Sequence, residues 1–334
     1  LLTCISVRPC ASDQQGLSCG IDKQIVNHTE DLGHLTAADV ADLGFVVGIF
    51  DGHGGGSCAA HVAQHFPRIL HEVYSMQVQQ IPRGVSSLTS AQEAELIHGA
   101  LRDSFRAAEH DLMRAAQEAH WTDGTSALVA LLCHGFEAPA QSTVPGTEGG
   151  VAKLFLAWCG DSRALLLRGD KVLPISDEHI PLRKDEYERV KQAGGKVLDF
   201  GGVLKVGRRD KYKEKKSTGA FRSLVWLSTT RSFGDIRLKA PYNIVTCEAD
   251  IKVRTLTPDD WAVVLVCHAI TAKLPNRDVA NACRDTFAKG GGPVDAAQEV
   301  VARARKRGSI GNLTAVVMRL GWSEMKPLAS FAFG

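Results

Sequence analysis

The chain has 334 residues, 44% of them hydrophobic and 23% charged, with a net charge of +2. Such a composition excludes a disordered or fibrous chain, and a charge so near zero gives no ground for a nucleic-acid or anionic-membrane partner. No apolar run reaches transmembrane length, and no basic segment precedes a signal-like apolar stretch, though a removed targeting segment is left open. Nine scattered cysteines, several inside apolar runs (Cys133, Cys159, Cys267), read as free thiols in a reducing compartment, so cytoplasm or nucleus is expected. Asn27-His28-Thr29 and Asn312-Leu313-Thr314 match the glycosylation sequon by chance.

In chain order, Leu43 to Phe50 is almost wholly apolar and partly β-branched, the pattern of a strand buried on both faces. It runs into Asp51-Gly52-His53-Gly54-Gly55-Gly56. A carboxylate at a strand end can hold a hard cation, the Gly52 carbonyl can approach the same ion, and His53 can deliver a proton near neutral pH. The alternative is a glycine-rich turn with solvated side chains. Residues 57–74 carry apolar positions at helical spacing (Ala59, Val62, Ala63, Phe66, Ile69, Leu70), interrupted by Pro67, and 77–90 read as a loop. Ala91 to His120 forms one long amphipathic helix, and Ser126 to Cys133 a strand.

Residues 136–150, rich in Gly, Pro, Ser and Thr, read as an inserted loop. Val151–Cys159, Arg163–Arg168 and Lys171–Ile175 are consecutive strands with turns at Gly160-Asp161-Ser162 and Gly169-Asp170. Pro181 to Ala193 has helix signals. Lys205 to Lys216 is strongly basic and is expected to be a solvated loop, with contact to phosphate or an acidic partner as the alternative. Trp261–Cys267 is a strand, Asn276–Lys289 and Pro293–Lys306 are helices, and Leu313–Leu320 closes the chain as a strand. Clustered strands with paired helices predict an α+β fold of antiparallel sheets covered by helices.

Six motifs in order resemble the protein phosphatase 2C (PPM) family of metal-dependent serine/threonine phosphatases. They are Phe50-Asp51-Gly52-His53-Gly54-Gly55, Asp123 to Ala127, Gly160-Asp161-Ser162-Arg163-Ala164, Asp177 to Pro181 with Glu188 to Gly195, Leu227 to Asp235, and Gly308 to Val317. The resemblance spans nearly the whole chain. It implies one domain over 1–334, a four-layer α/β/β/α sandwich with insertions near 77–90, 136–150 and 203–222. It also implies two metal ions, Mg²⁺ or Mn²⁺, that activate a water and clamp phosphoryl oxygens roughly 3.5–4 Å apart. Asp51 would bridge the ions, the Gly52 carbonyl would bind one of them, and His53 would be the general acid. Asp161 would serve an accessory ion. Arg8, with Asp13 nearby, lies where the family holds the substrate phosphate.

The chain departs from this pattern at the acids. His268 stands where the resemblance expects a core metal-binding aspartate, Ala272 where it expects a second acid, Gly311 in place of the aspartate before Asn312, and Ser12 in place of a glutamate. One metal position keeps only Asp51 and the other loses its glutamate, so a single ion or none is expected. His268 could ligate Mn²⁺ or Zn²⁺ through its imidazole, but the reading preferred here is a neutral, hydrogen-bonded histidine filling the former metal space. The chain is therefore expected to be an attenuated or inactive phosphatase that binds a phosphoprotein or protein partner, with no membrane role. The alternatives are an active phosphatase with an altered metal set (Asp51, Gly52, His268, Asp13) and, from the basic segment alone, a nucleic-acid binder; the latter lacks stacking aromatics.

Overall fold

A computed structural model describes residues 2–3, 6–9, 19–20, 33–40, 43–82, 88–136, 151–208, 225–309 and 311–321. Three short strands come first: β1 (Leu2–Thr3), β2 (Ser6–Pro9) and β3 (Cys19–Gly20). They are followed by β4 (Gly33–Val40), β5 (Gly44–His53) and the helix pair α1 (Ser57–Gln79) and α2 (Ser90–Ala119). Next come β6 (Gly124–Phe136), β7 (Val151–Cys159), β8 (Arg163–Arg168), β9 (Lys171–Pro174) and α3 (Lys184–Gln192). Short strands β10 (Lys196–Asp199), β11 (Leu204–Gly207), β12 (Trp226–Leu227) and β13 (Phe233–Gly234) precede α4 (Ile236–Lys239). The chain ends with β14 (Asp250–Thr255), β15 (Asp260–Val266), α5 (His268–Thr271), α6 (Asn276–Ala288), α7 (Pro293–Lys306) and β16 (Leu313–Arg319).

Two large sheets result, ordered β14-β7-β6-β5-β4 and β3-β2-β16-β15-β8-β9, with a small third sheet β10-β11-β12. Their bodies are antiparallel, as expected. Among the described residues, only the short β1 and β2 join β16 in parallel.

Alternation along β5 shows why the layers stack as they do. Val47 and Ile49 join Leu128, Leu154, Val264 and Val316 in the core that runs between the sheets to α6 and α7. Val46 and Phe50 face the other way, into a second core with Val62, Phe66, Leu101 and Phe105 of α1 and α2. A period of two thus feeds both cores from one strand, giving four layers, α/β/β/α.

Three predicted elements differ in extent. Helix α1 runs through Pro67 and on to Gln79. Phe66, Ile69 and Leu70 are buried against α2 on either side of the proline, and tertiary packing of this face outweighs the lost hydrogen bond. The loop expected from residue 77 therefore starts later. Helix α3 starts at Lys184, since buried Pro181 belongs to the turn before it. Of the basic segment, Lys205 lies in β11 and residues 209–216 lie outside the described residues, as does the insertion at 137–150. Among the described residues, Cys58, Cys133, Cys159, Cys247, Cys267 and Cys283 are free, and no helix is long and apolar enough to cross a membrane.

Candidate active site

Strand β5 carries Asp51, Gly52 and His53 to one end of its sheet, where they pair in register with Ser126, Thr125 and Gly124 of β6. The turn between β7 and β8 brings Asp161, only 6% exposed, to the same end. This approach needs Gly160. Its φ is +119°, and a Cβ there would fall 2.2 Å from Ser126 Cβ, a position open only to glycine. Burial and then the facing Asp161 push the Asp51 carboxyl up to about 7, while His53 and then His268 pull it down. Two carboxylates facing one another in low dielectric repel, which is the electrostatic mark of a cation site.

His53 gives its Nε2–H to Asp235 Oδ2 at 2.7 Å, since a carboxylate can only accept. The same oxygen accepts Ser232 Oγ at 2.5 Å. Burial disfavours the imidazolium, but Asp235 and then Asp161 and Asp51 outweigh it, so the His53 pKa lies above its ordinary value. Asp235 adopts the left-handed conformation, φ +52°, which aspartate tolerates better than most residues, and its N–H donates to the Asp123 carbonyl at 3.0 Å. Gly124 leaves room for the pair: a Cβ there would lie 2.1 Å from Asp235 Oδ2 and 2.7 Å from His53 Nε2. Asp123 in turn accepts the Cys58 N–H at 2.9 Å, satisfying a donor in the first turn of α1. Asp235, Ser232 and Asp123 are site-building residues to which the sequence attached no role.

A second set of charges fixes the Asp161 turn from behind. Gly160 N–H donates to His179 Nδ1 at 3.1 Å, and His179 Nε2 lies 3.0 Å from Asp250 Oδ2. Asp250 also accepts from Arg231 at 2.8 Å. Arg231 donates twice to Glu186, at 2.9 and 2.5 Å, and Glu186 further accepts Thr230 Oγ1 at 2.6 Å and Arg189 Nη2 at 3.0 Å. Glu186 is 1% exposed. Burial acts to raise its pKa, yet the bonds from Arg231 and Thr230 overcome it and hold the carboxyl at about 2. Residues from three of the recognised motifs thus form a scaffold that sets where Asp161 stands, whatever chemistry follows.

His268 opens the short α5. Its Nδ1 lies 3.4 Å from Asp161 Oδ2, and its side chain is 47% exposed. The imidazole therefore sits at the rim beside Asp161 rather than sealed into a buried hole. Ala272 is exposed at the end of α5 and offers no ligand atom. Gly311 faces Ala269, whose Cβ lies 3.0 Å from where a side chain at 311 would begin. Arg8 pairs with Gly20 through its backbone, while its side chain, Ser12 and Asp13 lie outside the described residues.

Among the described residues, the donors do not make up a two-metal centre. Asp51 and Asp161 are the cleft's carboxylates among the described candidate ligands, and the His268 imidazole stands beside Asp161. Among the described residues, the one group of three or more His, Cys, Asp or Glu ligand atoms within 4.8 Å of each other lies elsewhere, on α1 and α2.

A sandwich with an Asp-Gly-His corner and a facing Asp turn is the architecture of the metal-dependent phosphatases. The sequence model of protein phosphatase 2C matches residues 19–313, and the chain belongs to that family. It is 28% identical to human protein phosphatase 1F over 81% of this chain and 48% of the relative. It is also 28% identical to probable protein phosphatase 2C 8 of rice (Oryza sativa subsp. japonica), over 86% of this chain and 65% of that one. The chain thus spans about half to two thirds of the length of these relatives. Among solved structures, a serine-threonine phosphatase 2C from Toxoplasma gondii superposes with a TM-score of 0.67 at 15% identity, covering 94% of this chain and 97% of that one. A C. elegans sex-determining protein gives 0.63 at 20% identity, covering 98% of this chain and 65% of that one. These two likenesses establish the fold.

Proposed function

We propose that this phosphatase 2C domain is a pseudophosphatase: it holds a phosphorylated or unphosphorylated protein segment in its cleft and turns over phosphate esters slowly or not at all. The observation that carries the reading is His268. Its Nδ1 stands 3.4 Å from Asp161 Oδ2, where the resemblance places a metal-binding acid, and Ala269 crowds the place where a side chain at 311 would begin. Losing an outer-sphere partner alone typically costs about 10–100-fold in metal affinity or activity, and loss of anions that bind the metal directly costs more. His53, with its proton held against Asp235, and Arg8, where the resemblance places a phosphate-binding guanidinium, would remain as cationic contacts for a phosphate group. The partner we envisage is a phosphoprotein of the cytoplasm or nucleus.

The test is binding without turnover. Fluorescence anisotropy of phosphothreonine peptides is expected to rise on adding the chain and to fall back with Arg8→Ala, with the recovered peptide still phosphorylated. Release of phosphate that Asp51→Ala abolishes would overturn the reading.

One observation favours a second reading, an active serine/threonine phosphatase with an altered metal set. Asp51, pushed up to about 7 by burial and Asp161, would gain from a cation held by Asp51, the Gly52 carbonyl, His268 and Asp13. Calorimetric titration with Mn²⁺ and Mg²⁺ separates the two: an ion lost on Asp51→Ala supports the second.

A further inference from the structure

Outside the cleft, a group of half-buried side chains sits between α1 and α2 with no part in the site described above. His61 and His65, one helical turn apart, lie on the same face of α1, and Asp111 of α2 stands opposite. One ligand atom from each lies within 4.8 Å of the others. His61 Nε2 and Asp111 Oδ2 are 2.9 Å apart, and the His61 and His65 rings meet edge to face at 4.2 Å. The buried Nδ1 of His65 has no hydrogen-bond partner among the described residues. An edge-to-face pair of this kind contributes packing energy, but it leaves the unpaired His65 Nδ1 unexplained.

We propose that His61, His65 and Asp111 form a divalent transition-metal site of the zinc class, joining α1 to α2. Two nitrogens and one carboxylate oxygen are the donor set that Zn²⁺ accepts as three protein ligands with a fourth position open. The His61 and Asp111 side chains are 14% and 24% exposed, so water can reach that fourth position. Donor atoms about 2.0–2.1 Å from a tetrahedral ion stand about 3.3 Å apart, so the 2.9 Å pair has only to open by a few tenths of an ångström as the metal replaces the shared proton. His61 then carries its proton on Nδ1.

The surroundings already supply what orients such ligands. Arg114 holds the other Asp111 oxygen at 2.8 Å, and the Trp121 ring packs edge-on against His61 at 5.9 Å. The site is independent of the reading given to the cleft.

The test is a Zn²⁺ titration of the whole chain against a chromophoric chelator, repeated with Co²⁺. The chain is expected to bind a Zn²⁺ that Asp51→Asn leaves in place. His65→Gln should lose more than about 100-fold in affinity, since it removes a ligand rather than an outer partner. Should His65→Gln fold poorly, Co²⁺ quenching of tryptophan fluorescence in the natural chain serves in its place, and the quench should shrink in Trp121→Phe. No bound Zn²⁺, binding unchanged by His65→Gln, binding lost with Asp51→Asn, or a quench indifferent to Trp121→Phe would each overturn the proposal and leave His61–Asp111 a plain interhelical ion pair.

Discussion

At the scale of single residues, the cleft is governed by two histidines in opposite situations. His53 is paired with a buried carboxylate that raises its affinity for a proton, so it suits donation to a phosphate oxygen or a leaving group. Asp235→Asn removes the chief charge that raises the His53 pKa. The imidazole pKa, followed by NMR titration, should fall toward or below its ordinary value, since burial then acts with less opposition; an unchanged pKa would contradict this pairing. His268, by contrast, stands half exposed beside Asp161, where the family resemblance expects a carboxylate. Its substitution was legible in the sequence because the motif frames it on both sides. The role of Asp235 was not: it closes a recognised motif, but its partner lies 182 residues away, and no local pattern encodes that contact. Nor did the sequence tie Ala269 to Gly311, where a missing side chain and a neighbouring methyl share one space.

At the scale of elements, legibility followed burial. Strands β5, β6, β7, β8, β15 and β16 are apolar runs buried on both faces, and their sequences state it. Strands β4 and β14 are the edges of their sheet, each paired on one side only; Gly33–Val40 and Asp250–Thr255 mix polar and apolar residues accordingly, so neither stood out. Helix α3 is short and polar, and the ions beneath it hold it in place. With the Glu186 carboxyl held at about 2 in the fold against 4.5 ordinarily, its stabilisation is complete above about 4.5 and is lost as pH falls toward 2. Glu186→Gln, which strands the Arg231 charge, should cost about 3 kcal/mol at neutral pH. Urea unfolding should show the deficit shrinking as pH drops through that window, and a deficit independent of pH would count against the network.

At the scale of the whole molecule, scaffold and chemistry draw on different parts of the same motifs. Glycines and ion pairs around Gly160, Arg231 and Glu186 shape the end of the sandwich, and they are intact. Where the family resemblance expects acids that would charge that end with metal, the chain carries Ser12, His268 and Gly311. Six ordered motifs therefore made the family and the fold readable while leaving the activity undetermined, because a fold tolerates ligand loss that catalysis does not. The most direct measurement is phosphate release from a phosphothreonine peptide in Mg²⁺ or Mn²⁺, comparing the natural chain, Asp51→Ala, and a restored variant (Ser12→Glu, His268→Asp, Gly311→Asp, with Ala269→Gly to clear space). The account predicts that the natural chain matches Asp51→Ala and that the restored variant alone turns over. Brisk turnover by the natural chain, abolished by Asp51→Ala, would contradict it.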